Sequence, residues 1–214
     1  MKKRLLIFSD SLALPRNTPE QTIYEDTYPY LLNKNYQVFQ FSKGGGLIKE
    51  FVEQTFYYNQ YHPDIVIIQM GIVDCAPRAF TKLEEAIFDS NRVFRWIRRF
   101  LSNIKATKYI RKIRQVSWTP PKDFISMCEF FIDKFHESEV FALSIVPASS
   151  DYEKQVPGIT KKIDKYNLML KNVFGNKYID LKDIPLKGIM SDHHHLTKEG
   201  HQYIYNAILR TLNG

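Results

Sequence analysis

The feature that most constrains the fold is a continuous run of apolar, mostly β-branched residues between Asp64 and Met70. Its core, Ile65-Val66-Ile67-Ile68, lacks alternating polar side chains, which predicts a strand buried on both faces. Four further strand patterns occupy residues 5–8, 36–41, 140–146 and 177–181. Helical spacing separates them, over residues 26–34, 47–61, 84–116, 122–137, 161–174 and 197–212. Strands that alternate with helices predict right-handed βαβ units and a parallel sheet covered on both faces.

Length and composition predict one globular domain spanning residues 1–214. Of these residues 44% are hydrophobic and 25% are charged, which is ordinary for a globular protein. The apolar run behind the basic N-terminus covers only residues 5–8, too short for a signal peptide, and no run reaches the ~18 residues of a membrane span. With only Cys75 and Cys128, and no CxxC pair, we expect a reducing, cytoplasmic location.

A basic segment, residues 92–117, lies between the third and fourth predicted strands. It carries nine of the 30 Lys and Arg residues and no Asp or Glu, so the net charge of +7 is a local property. Its apolar residues recur every three or four positions, which predicts an inserted basic amphipathic helix. Such a helix can pack on the domain, cover a site, or contact an anionic membrane or glycan. No nucleic-acid-binding motif accompanies the charge, so nucleic acid is not an expected partner.

Two short polar segments together suggest nucleophilic catalysis. Ser11 follows the first predicted strand and its turn, where a hydroxyl would reach the edge of the sheet. Asp192 precedes His195 by three residues in the loop before the last helix, so the carboxylate can meet the imidazole and fix its tautomer. Ser11 is therefore the candidate nucleophile, although a lone Ser in such a turn more often caps a helix.

Three consecutive histidines, His193, His194 and His195, also suggest a metal site. Consecutive residues do not converge on one ion, and no further His or Cys cluster is spaced to complete a tetrahedral set. The sequence therefore predicts no metal.

The order of these segments resembles the SGNH, or GDSL, family of hydrolases. The family's first block, Gly-Asp-Ser-Leu, corresponds to residues 9–12, with Ser9 in place of the glycine. Its glycine after the second strand corresponds to residues 44–46, and its Gly-x-Asn-Asp block to residues 71–74. The final Asp-x-x-His block corresponds to residues 192–195. The resemblance extends from residue 5 to about residue 210, and the combination is far more specific than any single block.

The resemblance implies a three-layer α/β/α fold with a flavodoxin-like, doubly wound parallel sheet of five strands in the order 2-1-3-4-5. It implies that Ser11 is the nucleophile, His195 the general base and Asp192 the partner of His195. The reaction would attack an ester carbonyl, form an acyl-enzyme, and release the acyl group to water or to an alcohol, without a cofactor.

The oxyanion site implied by the resemblance is incomplete in this sequence. Its expected donors are the backbone amides of Ser11 and Gly45, with Gly44 and Gly46 as alternatives. Val73 stands where the family has an Asn whose side chain also donates to the oxyanion. Loss of one such donor typically costs about 10²- to 10³-fold in rate. We expect either a substitute donor or slow turnover of generic esters.

Three further residues are candidates for contacts with the substrate. Arg78 follows the third block and is the candidate substitute donor, although a solvated surface role is also compatible with its position. Asp10 and Asp74 belong to the first and third blocks. Asp74 is also suited to capping and bracing the turn after the third strand, which the capping preference of Asp favours.

Three functions are compatible with these patterns. The first is a serine esterase that removes a small acyl group, such as acetyl, from a small molecule or a carbohydrate. The second is an acyltransferase that passes the acyl group to a sugar hydroxyl in polysaccharide biosynthesis, suggested by Val73 and the basic segment. The third is a non-catalytic scaffold with a degenerate site that binds a glycan or a membrane through residues 92–117.

Overall fold

Five parallel strands form the centre of the computed structural model, which describes residues 2–90 and 104–213. The strands are β1 (Arg4–Ser9), β2 (Gln37–Ser42), β3 (Ile65–Gln69), β4 (Glu139–Leu143) and β5 (Tyr178–Ile179). Their order across the sheet is β2-β1-β3-β4-β5, and all four pairings are parallel. The predicted fold class and strand order are confirmed.

Helices lie in the connections between the strands and after β5. Their bounds are α1 (Tyr28–Leu32), α2 (Ile48–Val52), α3 (Thr55–Tyr58), α4 (Ile72–Cys75), α5 (Lys82–Ser90), α6 (Ile104–Arg114), α7 (Pro121–Lys134), α8 (Ser150–Gln155), α9 (Ile159–Phe174) and α10 (Lys198–Asn213). The helix predicted over 47–61 is divided into α2, α3 and a 3₁₀ turn, Asn59–Tyr61. At the division, the Thr55 hydroxyl donates to the Val52 carbonyl at 2.8 Å, a local bond that competes with the helical pattern.

The apolar run of each inner strand divides between two cores because successive side chains point to opposite faces of the sheet. On one face, Leu6 and Phe8 of β1 pack with buried residues of α2, α7 and α9. On the other face, Leu5 and Ile7 pack with buried residues of α1 and α10. The continuous apolar pattern of β1 and β3 therefore reflects burial on both faces, as the sequence predicted.

The register of the inner strands brings three connections to one edge of the sheet. Ser9 at the end of β1 pairs with Ser42 at the end of β2 on one side and with Gln69 at the end of β3 on the other. The residues that follow them therefore emerge side by side at the carboxyl ends of the strands. In open α/β sheets this edge, next to the point where the strand order reverses, is where ligands bind.

The predicted basic segment is described in part. Residues 91–103 lie outside the described residues, and α6 accounts for positions 104–114. Arg114 at the end of α6 binds Glu84 of α5 through two hydrogen bonds, of 2.8 and 3.0 Å. The Gln115 side chain donates to the Pro157 carbonyl at 2.8 Å. These contacts hold the end of α6 beside the carboxyl edge of the sheet. Within the described ranges, no helix has the length and apolarity needed to span a bilayer.

Candidate active site

Ser11 begins a 3₁₀ turn, Ser11–Ala13, immediately beyond β1. Asp10 precedes this turn, and its Oδ1 accepts a hydrogen bond from the Leu12 amide at 3.0 Å. The Asp10 amide donates to the Gln69 carbonyl at 3.1 Å and so continues the pairing of β1 with β3. The turn is therefore fixed to the end of the sheet, while the half-buried Ser11 faces a cavity.

His195 lies in the loop before α10, and its ring contacts both Ser11 and Asp192. The Ser11 Oγ and His195 Nε2 atoms are 2.9 Å apart. The His195 Nδ1 and Asp192 Oδ2 atoms are 2.7 Å apart. The other oxygen of Asp192 accepts from the backbone amides of His194 and His195, at 3.2 and 3.0 Å. The structure thus brings together the three residues that sequence reasoning had selected.

Backbone contacts close this loop on itself and bring α10 against it. The Met190 amide donates to the His195 carbonyl at 2.7 Å, and the Thr197 amide donates to the Gly188 carbonyl at 3.1 Å. A Cβ atom on Gly200 would lie 2.0 Å from the Gly188 carbonyl oxygen. Glycine is therefore required at position 200 for α10 to approach the loop so closely.

The electrostatics of the loop favour an ionised Asp192 and a neutral His195. Burial opposes ionisation of Asp192, but hydrogen bonds from the His195 amide and ring and from the His194 amide outweigh it and lower the pKa of Asp192 to about 2. Burial lowers the pKa of His195 to about 4, against the effect of its hydrogen bond to Asp192. An ionised carboxylate only accepts hydrogen bonds, so the proton of neutral His195 is on Nδ1 and Nε2 is free to accept from Ser11.

The cavity at Ser11 has a volume of about 550 Å³ and two unlike walls. The first, the Ser-His-Asp wall, consists of Ser11 and His195 with Asp192 behind the ring. The second, the arginine wall, consists of Val73, Arg78, Arg111 and Trp118. Such a volume suits a small-molecule ligand.

The glycine turn after β2 also contributes to the cavity lining. The Gly46 amide donates to the Lys43 carbonyl at 3.0 Å, and Gly45 has a φ of +67°. A Cβ atom on Gly46 would lie 2.7 Å from the Phe51 ring, so packing excludes a side chain there. Gly44 and Gly45 line the cavity. The Gly46 amide is engaged in the turn, which leaves Gly44 and Gly45 as the glycines that face Ser11.

Val73 presents an apolar side chain to the cavity. It lies in α4, which begins after Gly71, whose φ is +123°. A hydrocarbon side chain donates no hydrogen bond, so α4 offers no side-chain donor at this position. Arg78 lines the same cavity three residues beyond α4, and its guanidinium carbon lies 4.1 Å from the centre of the Trp118 ring. Its role as a substitute oxyanion donor stays a prediction.

Asp10 and Asp74 are not brought to the cavity surface. Both side chains are fully buried. Asp74 accepts from the Ile48 amide at 3.1 Å and from the Thr119 hydroxyl. These bonds join the segment after β3 to the start of α2 and to the approach to α7. Both carboxylates bind groups of the protein itself, Asp10 the Leu12 amide and Asp74 the Ile48 amide and Thr119 hydroxyl. Their role is therefore to position the loops around the cavity.

Several cavity residues were missed by sequence reasoning: Arg16, Arg111, Trp118, Tyr152 and His194. Arg111 had a signal in its position within the basic segment, but eight other cations there conceal it. Nothing local in the sequence indicates that the first turn of α8 delivers Tyr152, whose ring stacks on His194 with centroids 5.6 Å apart.

The expectation that neighbouring histidines do not converge is wrong for this loop. Ligand-capable atoms of Asp192, His194 and His195 lie within 4.8 Å of one another. The reason is that the His194 and His195 rings, tilted by 47° with centroids 3.9 Å apart, both direct Nδ1 towards the Asp192 carboxylate, at 3.6 and 2.7 Å. Both ring nitrogens of His195 are hydrogen-bonded to side chains, so a metal ion there would have to displace Ser11 or Asp192.

No family model and no curated protein matches the chain, but solved structures do. A lipase/acylhydrolase from Enterococcus faecalis superposes with a TM-score of 0.67 at 14% identity, covering 99% of this chain and 96% of that one. TesA gives 0.63 at 14% identity, covering 98% of each chain. Axe2, an acetylxylan esterase from Geobacillus stearothermophilus, gives 0.64 at 13% identity, covering 99% and 94%. At these identities the likeness establishes the fold: the chain has the α/β/α architecture of SGNH hydrolases.

Proposed function

We propose that the chain is a serine esterase that hydrolyses an ester of a small acyl group such as acetyl. The observation that carries this proposal is the continuous hydrogen-bond chain from Ser11 through His195 to Asp192, with side-chain distances of 2.9 and 2.7 Å. A nucleophile, a base and an orienting acid in contact at the surface of a cavity form a catalytic arrangement recognised by its geometry. The fold shared with esterases adds support, because those proteins carry such activity on the same architecture.

In the first step, Ser11 Oγ attacks the ester carbonyl carbon while its proton passes to His195 Nε2. The tetrahedral intermediate then collapses, the bond from carbon to the alcohol oxygen breaks, and the alcohol leaves with the proton from His195. In the second step, water attacks the acyl-enzyme and gives its proton to His195, which returns it to Ser11 Oγ as the acid departs. Asp192 stabilises the imidazolium formed in each step and holds the ring in register.

Two backbone amides are proposed to bind the oxyanion, those of Ser11 and Gly45. Gly44 and Gly45 line the cavity beside the Ser11 turn, which supports this assignment. Backbone donors fixed by secondary structure stabilise developing charge without reorganising during the reaction.

The experiment combines an ester assay with a covalent probe of the nucleophile. Purified protein should hydrolyse para-nitrophenyl acetate, release one acetate for each nitrophenolate, and be labelled by a fluorophosphonate. Ser11→Ala should abolish both the labelling and the hydrolysis. If acetate release lagged behind nitrophenolate release in the presence of sugars, the acyl group would be passing to an acceptor instead of water.

Ser149→Ala is the matched control, because the Ser149 hydroxyl also contacts a histidine. Its Oγ lies 3.4 Å from His193 Nδ1, outside the Ser11 cavity. This variant should keep the labelling of wild type. Labelling absent from wild type, or retained in Ser11→Ala, would refute the proposal.

A further inference from the structure

The arginine wall of the cavity carries positive charge that the protein leaves unpaired. Arg78 and Arg111 line it, and Arg16 enters the same cavity beside His195. The Nε atoms of all three are buried without a hydrogen-bond partner among the described residues. No Asp or Glu is among the residues of the described chain that line this cavity. No carboxylate among the described lining residues pairs with these guanidinium groups, although Arg16 Nη1 donates to the Thr18 carbonyl at 3.4 Å.

A neighbouring arginine shows what a structural ion pair looks like in this helix. Arg114, one turn beyond Arg111 in α6, meets the Glu84 carboxylate through two hydrogen bonds and is not among the described residues that line the cavity. Arg111 has no such carboxylate in the described chain. The two residues share a helix and a residue type, so the difference between them is the cavity that Arg111 faces.

Arg78 and Arg111 place two like charges in one half-buried part of the cavity. Burial lowers the pKa of Arg78, and the like charge of Arg111 lowers it further. Leaving buried charge uncompensated is expensive, and an opposite charge is what relieves it. Arg78 is nevertheless held in position, since its amide donates to the Val116 carbonyl at 2.8 Å and its guanidinium lies over Trp118. An anion that enters this site would compensate the positive charge of both arginines.

We propose that the substrate is an ester carrying a carboxylate or phosphate group, which Arg78 and Arg111 bind while Ser11 attacks the ester carbonyl. This inference rests on the ester hydrolysis proposed above and specifies its substrate class. The planar guanidinium donors match the paired oxygens of both anions. The anion and the reacting carbonyl occupy one cavity of about 550 Å³, so both belong to the same small molecule or to one terminal unit of a larger one. Arg16 adds a third positive charge beside the reacting centre.

The test compares matched acetate and acyl esters with and without an anion. For an anion on the alcohol part, para-acetoxybenzoate and para-acetoxyphenyl phosphate are compared with methyl para-acetoxybenzoate. For an anion on the acyl part, the para-nitrophenyl monoester of adipate is compared with para-nitrophenyl hexanoate. Each kcat/KM is divided by the hydroxide-catalysed rate of the same ester, which removes differences in intrinsic reactivity. At least one anionic ester should exceed its neutral counterpart by about tenfold or more.

The variants Arg78→Gln and Arg111→Gln should each lower kcat/KM for that anionic ester by about 10- to 100-fold, the value of one charged hydrogen bond. Neither should change kcat/KM for the neutral counterpart to a similar extent. Lys112→Gln is the matched control, since it removes the same charge from an exposed position next to Arg111. Thermal melting of each variant verifies folding, and Arg111→Gln should melt no lower than wild type because its charge has no partner to lose.

Binding to the Ser11→Ala variant separates this inference from the proposed function. Calorimetry should show tighter binding of para-acetoxybenzoate or para-acetoxyphenyl phosphate than of the methyl ester, and Arg78→Gln or Arg111→Gln in that background should weaken it. If wild type hydrolysed no ester yet this binding were found, the esterase proposal would fail and the anion site would stand. If neutral esters were hydrolysed but no anionic ester were preferred or bound more tightly, the anion site would be refuted. Equal losses on neutral and anionic esters in Arg78→Gln would also refute it, and would assign Arg78 to the oxyanion.

Discussion

The two walls of the cavity satisfy their charges in opposite ways. On the Ser-His-Asp wall, Asp192 accepts three hydrogen bonds and His195 uses both ring nitrogens. On the arginine wall, Arg78 and Arg111 each leave a buried Nε atom unpaired among the described residues. The first wall is complete without a ligand, as suits groups that must hold a proton in one position. The second is complete only with an anion, as suits groups that select a substrate.

We therefore expect the Ser-His-Asp wall to carry out the chemistry and the arginine wall to determine substrate specificity. The Ser-His-Asp wall follows the motifs that resemble SGNH hydrolases, whereas the arginine wall contains Val73, a position that departs from them. Changes on the first wall should therefore affect every substrate alike. Changes to Arg78 and Arg111 on the second should distinguish between substrates.

The largest effect is expected from Asp192→Asn. An Asn amide facing His195 Nδ1 would donate to it and shift the ring proton to Nε2, which could then no longer accept the proton of Ser11. We expect kcat to fall by about 10⁴-fold, with neutral and anionic esters equally affected. Steady-state assays and the rate of fluorophosphonate labelling measure the loss. Asp183→Asn, at an exposed position in a preceding loop, should behave as wild type. A loss of less than about tenfold would show that Asp192 does not set the tautomer.

Val73→Asn is the sharpest test on the arginine wall. If the oxyanion lacks a side-chain donor, an amide at this position should raise kcat on neutral esters by up to about 10²-fold. Val73→Leu has a similar volume without a donor, so it should give no increase. An unchanged kcat in Val73→Asn would indicate that another group already serves the oxyanion. Arg78 would then be the first candidate, and its Gln variant would slow neutral esters as well.

The pH dependence of kcat/KM probes the Ser-His-Asp wall alone when a neutral ester is used. Because burial lowers the pKa of His195 to about 4, the ring is neutral and able to accept a proton throughout the range above that value. We expect kcat/KM for methyl para-acetoxybenzoate to be constant from neutral pH down to about pH 5 and to fall tenfold per pH unit below about pH 4. Circular dichroism at each pH checks that the protein stays folded. Half-maximal activity near pH 6.5, the ordinary value for histidine, would show that the ring is solvated.

The features of the fold and site that could be predicted from sequence are those encoded in short, local residue patterns. The inner strands are buried on both faces, so their residues read as continuous apolar runs. Ser11, Asp192 and His195 were predictable because two short sequence blocks carry them in a recognisable order, one just after β1 and one just before α10. β5 is shorter than predicted: it has two residues and pairs with β4 alone.

The rest depends on contacts between distant segments. Arg111 approaches Arg78 only because α6 is anchored to α5 and to Pro157, and no periodicity encodes those contacts. The short helix α8 was not predicted, although the Ser149 hydroxyl caps it by accepting from the Tyr152 amide at 3.1 Å. Asp74 occupies a motif position, but only the structure shows that its oxygens are taken by Ile48 and Thr119. The residues of the arginine wall were thus harder to predict than Ser11, Asp192 and His195, because more segments of the chain contribute to that wall.

The smallest effect concerns a second buried histidine, which tests whether a low pKa distinguishes the Ser-His-Asp wall at all. Burial between α1 and α10 lowers the pKa of His201 to about 4, opposed by Asp26, and its Nδ1 accepts from the Tyr28 amide at 3.3 Å. The unfolded chain takes up this proton below about 6.5 while the folded chain does not, so His201 makes stability fall as the pH is lowered from 6.5 towards 4. His201→Asn keeps an acceptor for Tyr28 and cannot titrate.

The variant should therefore lose less stability on acidification than wild type, by ~1.4 kcal/mol per pH unit within that window. Urea unfolding at several pH values measures this difference in slope independently of any overall change in stability. His136→Asn replaces an exposed histidine and is the matched control for the loss of an imidazole. Equal slopes in His201→Asn and wild type would mean that His201 is hydrated in the folded protein. The expected result would show that burial alone depresses a histidine here, so that what distinguishes His195 is its contact with Ser11 and Asp192.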